Sequence, residues 1–468
     1  MPSRAPRLLL LLALSLPLGA CATRPQRPRP PRSIVLIVVD ALRPDRLTPY
    51  GAPRDTSPRV ARLAREGTLF KNAVAQANWT LPSLATIMTG LYPSTHRALY
   101  TPRVAQWWDK IGTGAYAPSG AQRLDPSRTT LAERLAARGY RTAAVVSGGF
   151  CRSEFGFGQG FAEYHNLGSR LGVILPRIKE VLAREPGRPY FLYVHLSDVH
   201  DPYAPPPPFD TLWTDPAYRG SQDGSREALA RVREGAPFDA QDTAHLLALY
   251  DGSMRELDDR LAELLDAVGP EAVVVFTADH GEAFGEHGRL QHGGDAYDEQ
   301  VRVPLIIRAP GRGAGRVVEP VVELADLAPT VLELAGAPAA KGLPGQSLAP
   351  LLDGRSWKER PAFIEAVYDH QNGEEHPFGL AALRTRERKF IRSLVGRPDE
   401  LYDLAADPGE TRNLAAERPA EAARWGRLVE QRLREARRAA EALPPVDKSP
   451  VQLDPGLVEK LKASGYVR

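Results

Sequence analysis

The sequence predicts an α/β fold, a doubly wound sheet followed by a smaller C-terminal α+β subdomain. Three features of the chain carry that expectation. Short continuous apolar runs recur along it, amphipathic helical stretches separate them, and from about Trp357 the pattern changes to brief strand-like pieces that end in one long helix. Unbroken runs of β-branched and aliphatic residues suit strands covered on both faces, and their alternation with helices builds a sheet with helices on either side.

Taken in order, the chain opens with Arg4 and Arg7, an apolar stretch from Leu8 to Leu18, and small residues ahead of a cysteine, the anatomy of a secretory signal over residues 1–20. Leu18-Gly19-Ala20-Cys21 resembles a bacterial lipobox. That resemblance implies that Cys21 is the lipid-bearing N-terminus of a lipoprotein anchored in the bacterial cell envelope, in the periplasm or at the outer membrane. Residues 21–32 alternate Arg with Pro and read as an extended tether. No later apolar run approaches the ~20 residues that cross a bilayer.

The main domain spans residues 33–355. Its first strand is Ile34–Val39, closed by Asp40. Further runs follow at Ala143–Val146, after the amphipathic Leu131–Ala137 stretch, at Tyr190–His195, at Ala272–Thr277 after a helical Glu256–Val268, and at Val303–Arg308. Residues 202–240, rich in Pro, Asp and Gly, read as a loop insertion. The subdomain and tail, residues 356–468, hold strand-like Ala362–Val367, Leu380–Arg384 and Lys389–Leu394 and a helix from about Pro419 to Leu443.

Ligands of open α/β sheets gather at the carboxyl ends of the strands. Asp40, the stretch from His195 to His200, and Asp279-His280 all fall there, so three polar clusters far apart in sequence are expected to converge. The bulk properties narrow the chemistry further. A formal charge of +3 over 468 residues, two of those charges lying in the leader, excludes an electrostatic nucleic-acid binder. With Cys21 assigned to lipid, Cys151 has no intramolecular partner, so no disulfide framework is expected, and Cys151 reads as a small buried or loop residue.

Taken singly, Asp40 reads as a turn cap, Thr80 as a helix cap and each histidine as a satisfied polar group. As a set they resemble a family. Val39-Asp40-Ala41-Leu42-Arg43-Pro44-Asp45-Arg46-Leu47 is similar to the opening motif of the sulfatase-like branch of the alkaline phosphatase superfamily. Asn78-Trp79-Thr80-Leu81-Pro82-Ser83 with Met88-Thr89-Gly90-Leu91-Tyr92-Pro93 resembles its nucleophile segment, and Thr277-Ala278-Asp279-His280-Gly281-Glu282 its second metal motif. Glu400-Leu401-Tyr402-Asp403-Leu404 resembles its C-terminal signature. The resemblance spans residues 33–468 and implies an alkaline-phosphatase-like fold. It also implies a divalent metal held by Asp40, Thr80, Asp279 and His280, with Thr80 as nucleophile and His200 or His292 serving the leaving group.

Where sulfatases carry Cys or Ser matured to formylglycine, this chain has Thr80, followed by Leu84 where they have Arg. Ala41 stands at their second Asp, and Ser147 and Gly149 at their sulfate-gripping Lys and His. The threonine, the Asp-His pair and the extra His200 are similar instead to lipoteichoic acid synthases and lipid A phosphoethanolamine transferases. These similarities imply a hydrolase or transferase of a phosphate- or phosphonate-type ester, on a small molecule, lipid headgroup or glycan. A sulfuric ester hydrolase without formylglycine and a non-catalytic binding lipoprotein are the alternatives. Two carboxylates, an imidazole and a hydroxyl favour zinc or manganese over calcium.

Overall fold

The structure, a computed structural model, describes residues 1, 32–98, 123–168, 170–338, 340–366, 379–394 and 396–447. Cys21 and the Arg/Pro stretch lie outside the described residues. Eight strands form the central sheet in the order β10-β2-β9-β6-β1-β5-β3-β4. They are β1 (Ile34–Val39), β2 (Thr68–Val74), β3 (Arg141–Val146), β4 (Glu163–Asn166), β5 (Tyr190–Leu196), β6 (Val273–Ala278), β9 (Arg302–Arg308) and β10 (Arg316–Glu323). A two-stranded ribbon, β7 (Ala283–Phe284) with β8 (Leu290–Gln291), lies in the connection from β6 to β9.

Every residue of β1 is buried. It is paired in parallel with β5 on one side and β6 on the other, which is what its unbroken aliphatic run requires. The sheet is not wholly parallel, however. β9 runs antiparallel to both β6 and β2. The reason is the route between β6 and β9: it carries no crossover helix, so the chain turns at the carboxyl end of β6 and comes straight back beside it.

Among the strands that escape the sequence reading are β4, the short β7 and β8, the subdomain strand Glu400–Asp403, and two longer ones, β2 and β10. β2 alternates buried residues with an exposed Lys71 and a half-buried Asn72, and β10, at the sheet edge, places exposed Arg316, Val317 and Glu319 before its buried end. Pro320 is tolerated there because an edge strand has free N–H positions. The helix read as starting at Glu256 in fact runs Ala240–Val268, its start fixed by Asp239, whose carboxylate accepts from Gln241 N and Asp242 N. The preceding insert adds a short helix, Arg226–Arg233.

The smaller sheet is antiparallel, β11 (Ala362–Ala366), β12 (Leu380–Arg384), β13 (Arg388–Ser393) and β14 (Glu400–Asp403) in that order. The Pro419–Glu441 helix closes one face through Val429 and Ala436, packed with Phe363, Leu383 and Phe390. No helix among the described residues is long and apolar enough to cross a membrane.

Candidate active site

Adjacent strands bring the first groups together. Val39 of β1 is opposite Ala278 of β6, and Val38 is opposite His195 of β5. Asp40 and Asp279, the residues following β1 and β6, and His195 therefore stand side by side at the carboxyl edge of the sheet, about one strand spacing apart. One ligand atom from each lies within 4.8 Å of the others, and all three residues are buried. Immediately after Asp40, Ala41 adopts φ +57°, a left-handed conformation rare for a residue with a Cβ. The kink aims its N–H at Asp279 Oδ1, 3.3 Å away.

Thr80 is the first residue of the fully buried helix Thr80–Thr89, and Trp79 occupies the cap position. The threonine hydroxyl therefore does not cap the helix. Its Oγ1 lies 3.3 Å from His280 Nε2, and the same nitrogen lies 3.3 Å from Asp40 Oδ1 and 3.6 Å from Asp279 Oδ2. The other ring nitrogen, Nδ1, is 2.9 Å from the Gly281 carbonyl, which fixes the ring and leaves Nε2 facing the carboxylates. Ser83 Oγ donates to the Asp279 carbonyl at 2.5 Å and so ties the Thr80–Thr89 helix to the end of β6.

Next to this group stand the two further histidines. The His292 ring is 4.3 Å from that of His280, and the His200 ring is 5.1 Å from that of His292. His292 Nδ1 contacts Glu282 Oε1 at 2.9 Å, and His200 Nδ1 the Asp201 carbonyl at 2.9 Å. Asp201 is in turn held by Arg226 of the insert, at 2.7 Å, and by a short hydrogen bond from Gln291. Two bonds lock the nucleophile's approach segment to the end of this loop: Gly293 N donates to Asn78 O at 3.0 Å, and Asn78 Nδ2 to Asp295 O at 2.8 Å.

Asp40, Thr80, His200, Asp279, His280 and His292 thus converge in one place. His195 joins them, as the converging stretch from His195 to His200 leads one to expect, although the motifs assign it no role. Its signal in the sequence is slight, a single ionisable side chain ending the apolar run Tyr190–His195. The rest of the opening motif is scaffolding: Arg43 pairs with Asp45 at 2.9 Å and Glu286 at 2.6 Å, and Arg46 donates to buried Asp251 at 2.9 Å. Cys151 is packed and buried, its thiol donating to the Gly148 carbonyl at 3.2 Å. Gly148 is forced by close approach, since a Cβ there would sit 2.8 Å from the His195 ring and 3.0 Å from Cys151 Sγ.

The electrostatics describe carboxylates and imidazoles that perturb one another strongly. Burial raises the Asp40 carboxyl, but His200 and His280 more than offset it and hold the group well below its usual range. Burial works against a charged His280, yet Asp279 and Asp40 push it up to about 9; His200, desolvated but facing Asp40 and Asp201, is pushed up to about 10. Asp40 Oδ1, Asp279 Oδ2 and both ring nitrogens of His195 are buried with no hydrogen-bond partner. Buried polar atoms are rarely left so, and carboxylates converging with imidazoles and a hydroxyl suit a divalent metal ion.

A hydroxyl at a helix start, facing two carboxylates and an imidazole at the end of an α/β sheet, defines a metal-dependent ester hydrolase. The comparisons specify it further. The chain belongs to the sulfatase family of the alkaline phosphatase superfamily: the Sulfatase family model matches residues 32–337, and a model described as N-sulphoglucosamine sulphohydrolase, C-terminal, matches residues 285–439. It is 27% identical, over 84% of its length and 92% of the relative's, to the multifunctional alkaline phosphatase superfamily protein PehA of Trinickia caryophylli. It is 26% identical to arylsulfatase K of Gallus gallus, covering 90% of this chain and 86% of that one. In fold it is similar to the phosphonate monoester hydrolase of Agrobacterium radiobacter, with a TM-score of 0.67 and 24% identity over 91% of this chain and all of that one.

Proposed function

We propose that the chain cleaves a phosphate- or phosphonate-type ester through a covalent Thr80 intermediate. The observation that carries this reading is the contact of Thr80 Oγ1 with His280 Nε2 at 3.3 Å, on the nitrogen that also faces Asp40 and Asp279. Asp40, Asp279, His280 and Thr80 Oγ1 would hold a divalent ion, zinc or manganese rather than calcium. When bound, such an ion acidifies the coordinated hydroxyl and neutralises a non-bridging oxygen of the substrate.

The remaining chemistry falls to the chain. Thr80 Oγ, its proton released to solvent water, attacks phosphorus, and the bond to the leaving oxygen breaks on the opposite side. His200 or His292 gives that oxygen a proton. The backbone N–H groups at the start of the Thr80–Thr89 helix favour the negative charge that accumulates there. Water, or an acceptor alcohol in a transferase, then releases Thr80 from its ester. Thr80 cannot be matured to formylglycine, and Ser147 and Gly149 replace basic sulfate contacts, so the phosphorus ester is preferred.

The test is to assay aryl phosphodiester, aryl phosphonate and aryl sulfate substrates with added zinc, manganese or calcium, and to trap a phosphorylated Thr80 peptide by mass spectrometry. A sulfatase rate without phosphoesterase activity would overturn the preference. It would favour the second reading, a sulfuric ester hydrolase, which is supported by the family and by the sulfatase names of the relatives. A non-catalytic binding role has less support, because the nucleophile and all the predicted ligands are present and close together. The same reading places the enzyme in the bacterial cell envelope, lipid-anchored at Cys21. Release of a Cys21→Ser variant from the membrane fraction is the expected result, and unchanged fractionation would count against anchoring.

A further inference from the structure

We propose that His195 is itself a metal ligand, entering through Nε2 from the β5 side, so that the ion is held by two imidazoles, two carboxylates and the Thr80 hydroxyl. This deepens the metal-site reading above and rests on it. His195 is wholly buried, and neither ring nitrogen makes a hydrogen bond of good geometry; its nearest side-chain partners are the Cys151 thiol, a weak one, and Asp279. A neutral imidazole always carries one donor and one acceptor, and leaving either unmet in the interior costs about 1–3 kcal/mol. An ordinary core histidine spends those groups on backbone or a carboxylate. Here the carboxylate contact, Nε2 to Asp279 Oδ2, is 3.9 Å, too long for a hydrogen bond.

The missing partner is a shared ion. Ligand atoms of Asp40, Asp279 and His195 lie within 4.8 Å of one another. Donors at ~2.0–2.2 Å from one zinc in tetrahedral or trigonal arrangement stand roughly 3.3–3.8 Å apart, so side-chain shifts of up to about 1 Å bring all three onto it. His280 Nε2, with the same carboxylates at 3.3 and 3.6 Å, supplies the second imidazole. Two nitrogen donors also settle the class of ion: calcium takes oxygen shells, whereas zinc, manganese or iron accepts mixed imidazole–carboxylate sets.

X-ray absorption on the zinc-loaded full chain counts coordinated imidazoles by their outer-shell scattering. Two are expected in the wild type and one in each of His195→Gln and His280→Gln, with zinc affinity in His195→Gln falling by more than the ~10–100-fold caused by loss of an outer partner. A wild-type count of one, lost in His280→Gln and kept in His195→Gln, would overturn this inference and leave the proposed function standing. That count needs no variant, so misfolding of His195→Gln does not protect the idea. Failure of the wild type to bind any divalent ion would overturn both.

Discussion

Two buried clusters of charge lie close together in this protein and are built on opposite principles. At the junction with the smaller sheet, Lys389 is completely buried with Nζ 3.0 Å from Asp298 Oδ1 and 3.0 Å from Glu410 Oε1, while Arg384 Nη2 lies 2.8 Å from Asp298 Oδ2. Cation and carboxylate are matched there inside the protein. At the sheet edge, Asp40 and Asp279 face each other with no Lys or Arg paired to them among the described residues, and Asp40 Oδ1 and Asp279 Oδ2 have no hydrogen-bond partner. Burial of charge therefore does not distinguish a functional site from a structural one; incomplete matching does. The first cluster carries its own counter-charges, and the second is the one the proposed cation would complete.

The largest break in that comparison is expected at Thr80. Thr80→Ala should lower turnover at least ~10³-fold, as loss of a nucleophile does, with the melting temperature shifted by no more than about 2 °C; retained turnover would refute the nucleophile assignment. At the junction, Lys389→Met should cost about 3–5 kcal/mol in urea unfolding, since it leaves two buried carboxylates with less cation. Chelation tests the other cluster: stripping an ion present at 100–1,000 times its Kd should remove about 3–4 kcal/mol, restored by zinc. Identical melting curves with and without chelator would contradict a cation-completed site.

A third carboxyl sharpens the contrast. Glu365 Oε1 is buried without a partner, and burial pushes the group up to about 7. With neither a close cation nor a metal, it gives up its charge. Because the folded-state value is raised, wild-type stability should fall as pH rises from about 4.5 through about 7. Glu365→Gln should remove that loss, gaining up to about 2–3 kcal/mol at pH 8 and almost nothing at pH 4; a pH-independent difference would exclude the cause. The smallest effect is expected for Asp279→Asn without metal, under about 1 kcal/mol, since His280 also gives up its need for a counter-charge. That variant should gain nothing from added zinc, and zinc stabilisation equal to wild type would remove Asp279 from the ligand set.

The sheet edge was legible in the sequence because apolar runs that stop at Asp40 and just before Asp279 announce both a strand and what lies at its end. Thr80, His280, His200 and His292 became legible through motif spacing. His195 was placed at that edge by its strand, but its role was not legible, because a lone imidazole closing a strand looks the same whether it is a ligand or a satisfied core residue. β2 and β10 were hidden by Lys71, Asn72, Arg316 and Glu319, polar side chains that strands near a sheet edge can present to water. The direction of β9 was hidden for another reason: it is decided by the path of the chain between β6 and β9, which local composition does not record.

Asn78, finally, staples the stretch leading to the nucleophile onto the loop that bears His292, through Gly293 and Asp295. Thr80 and His292 are therefore held at a set separation, which cannot widen without breaking those two hydrogen bonds. The Pro205–Gly235 insert is joined to the histidine region by a different kind of link, the Arg226–Asp201 ion pair, at 2.7 Å.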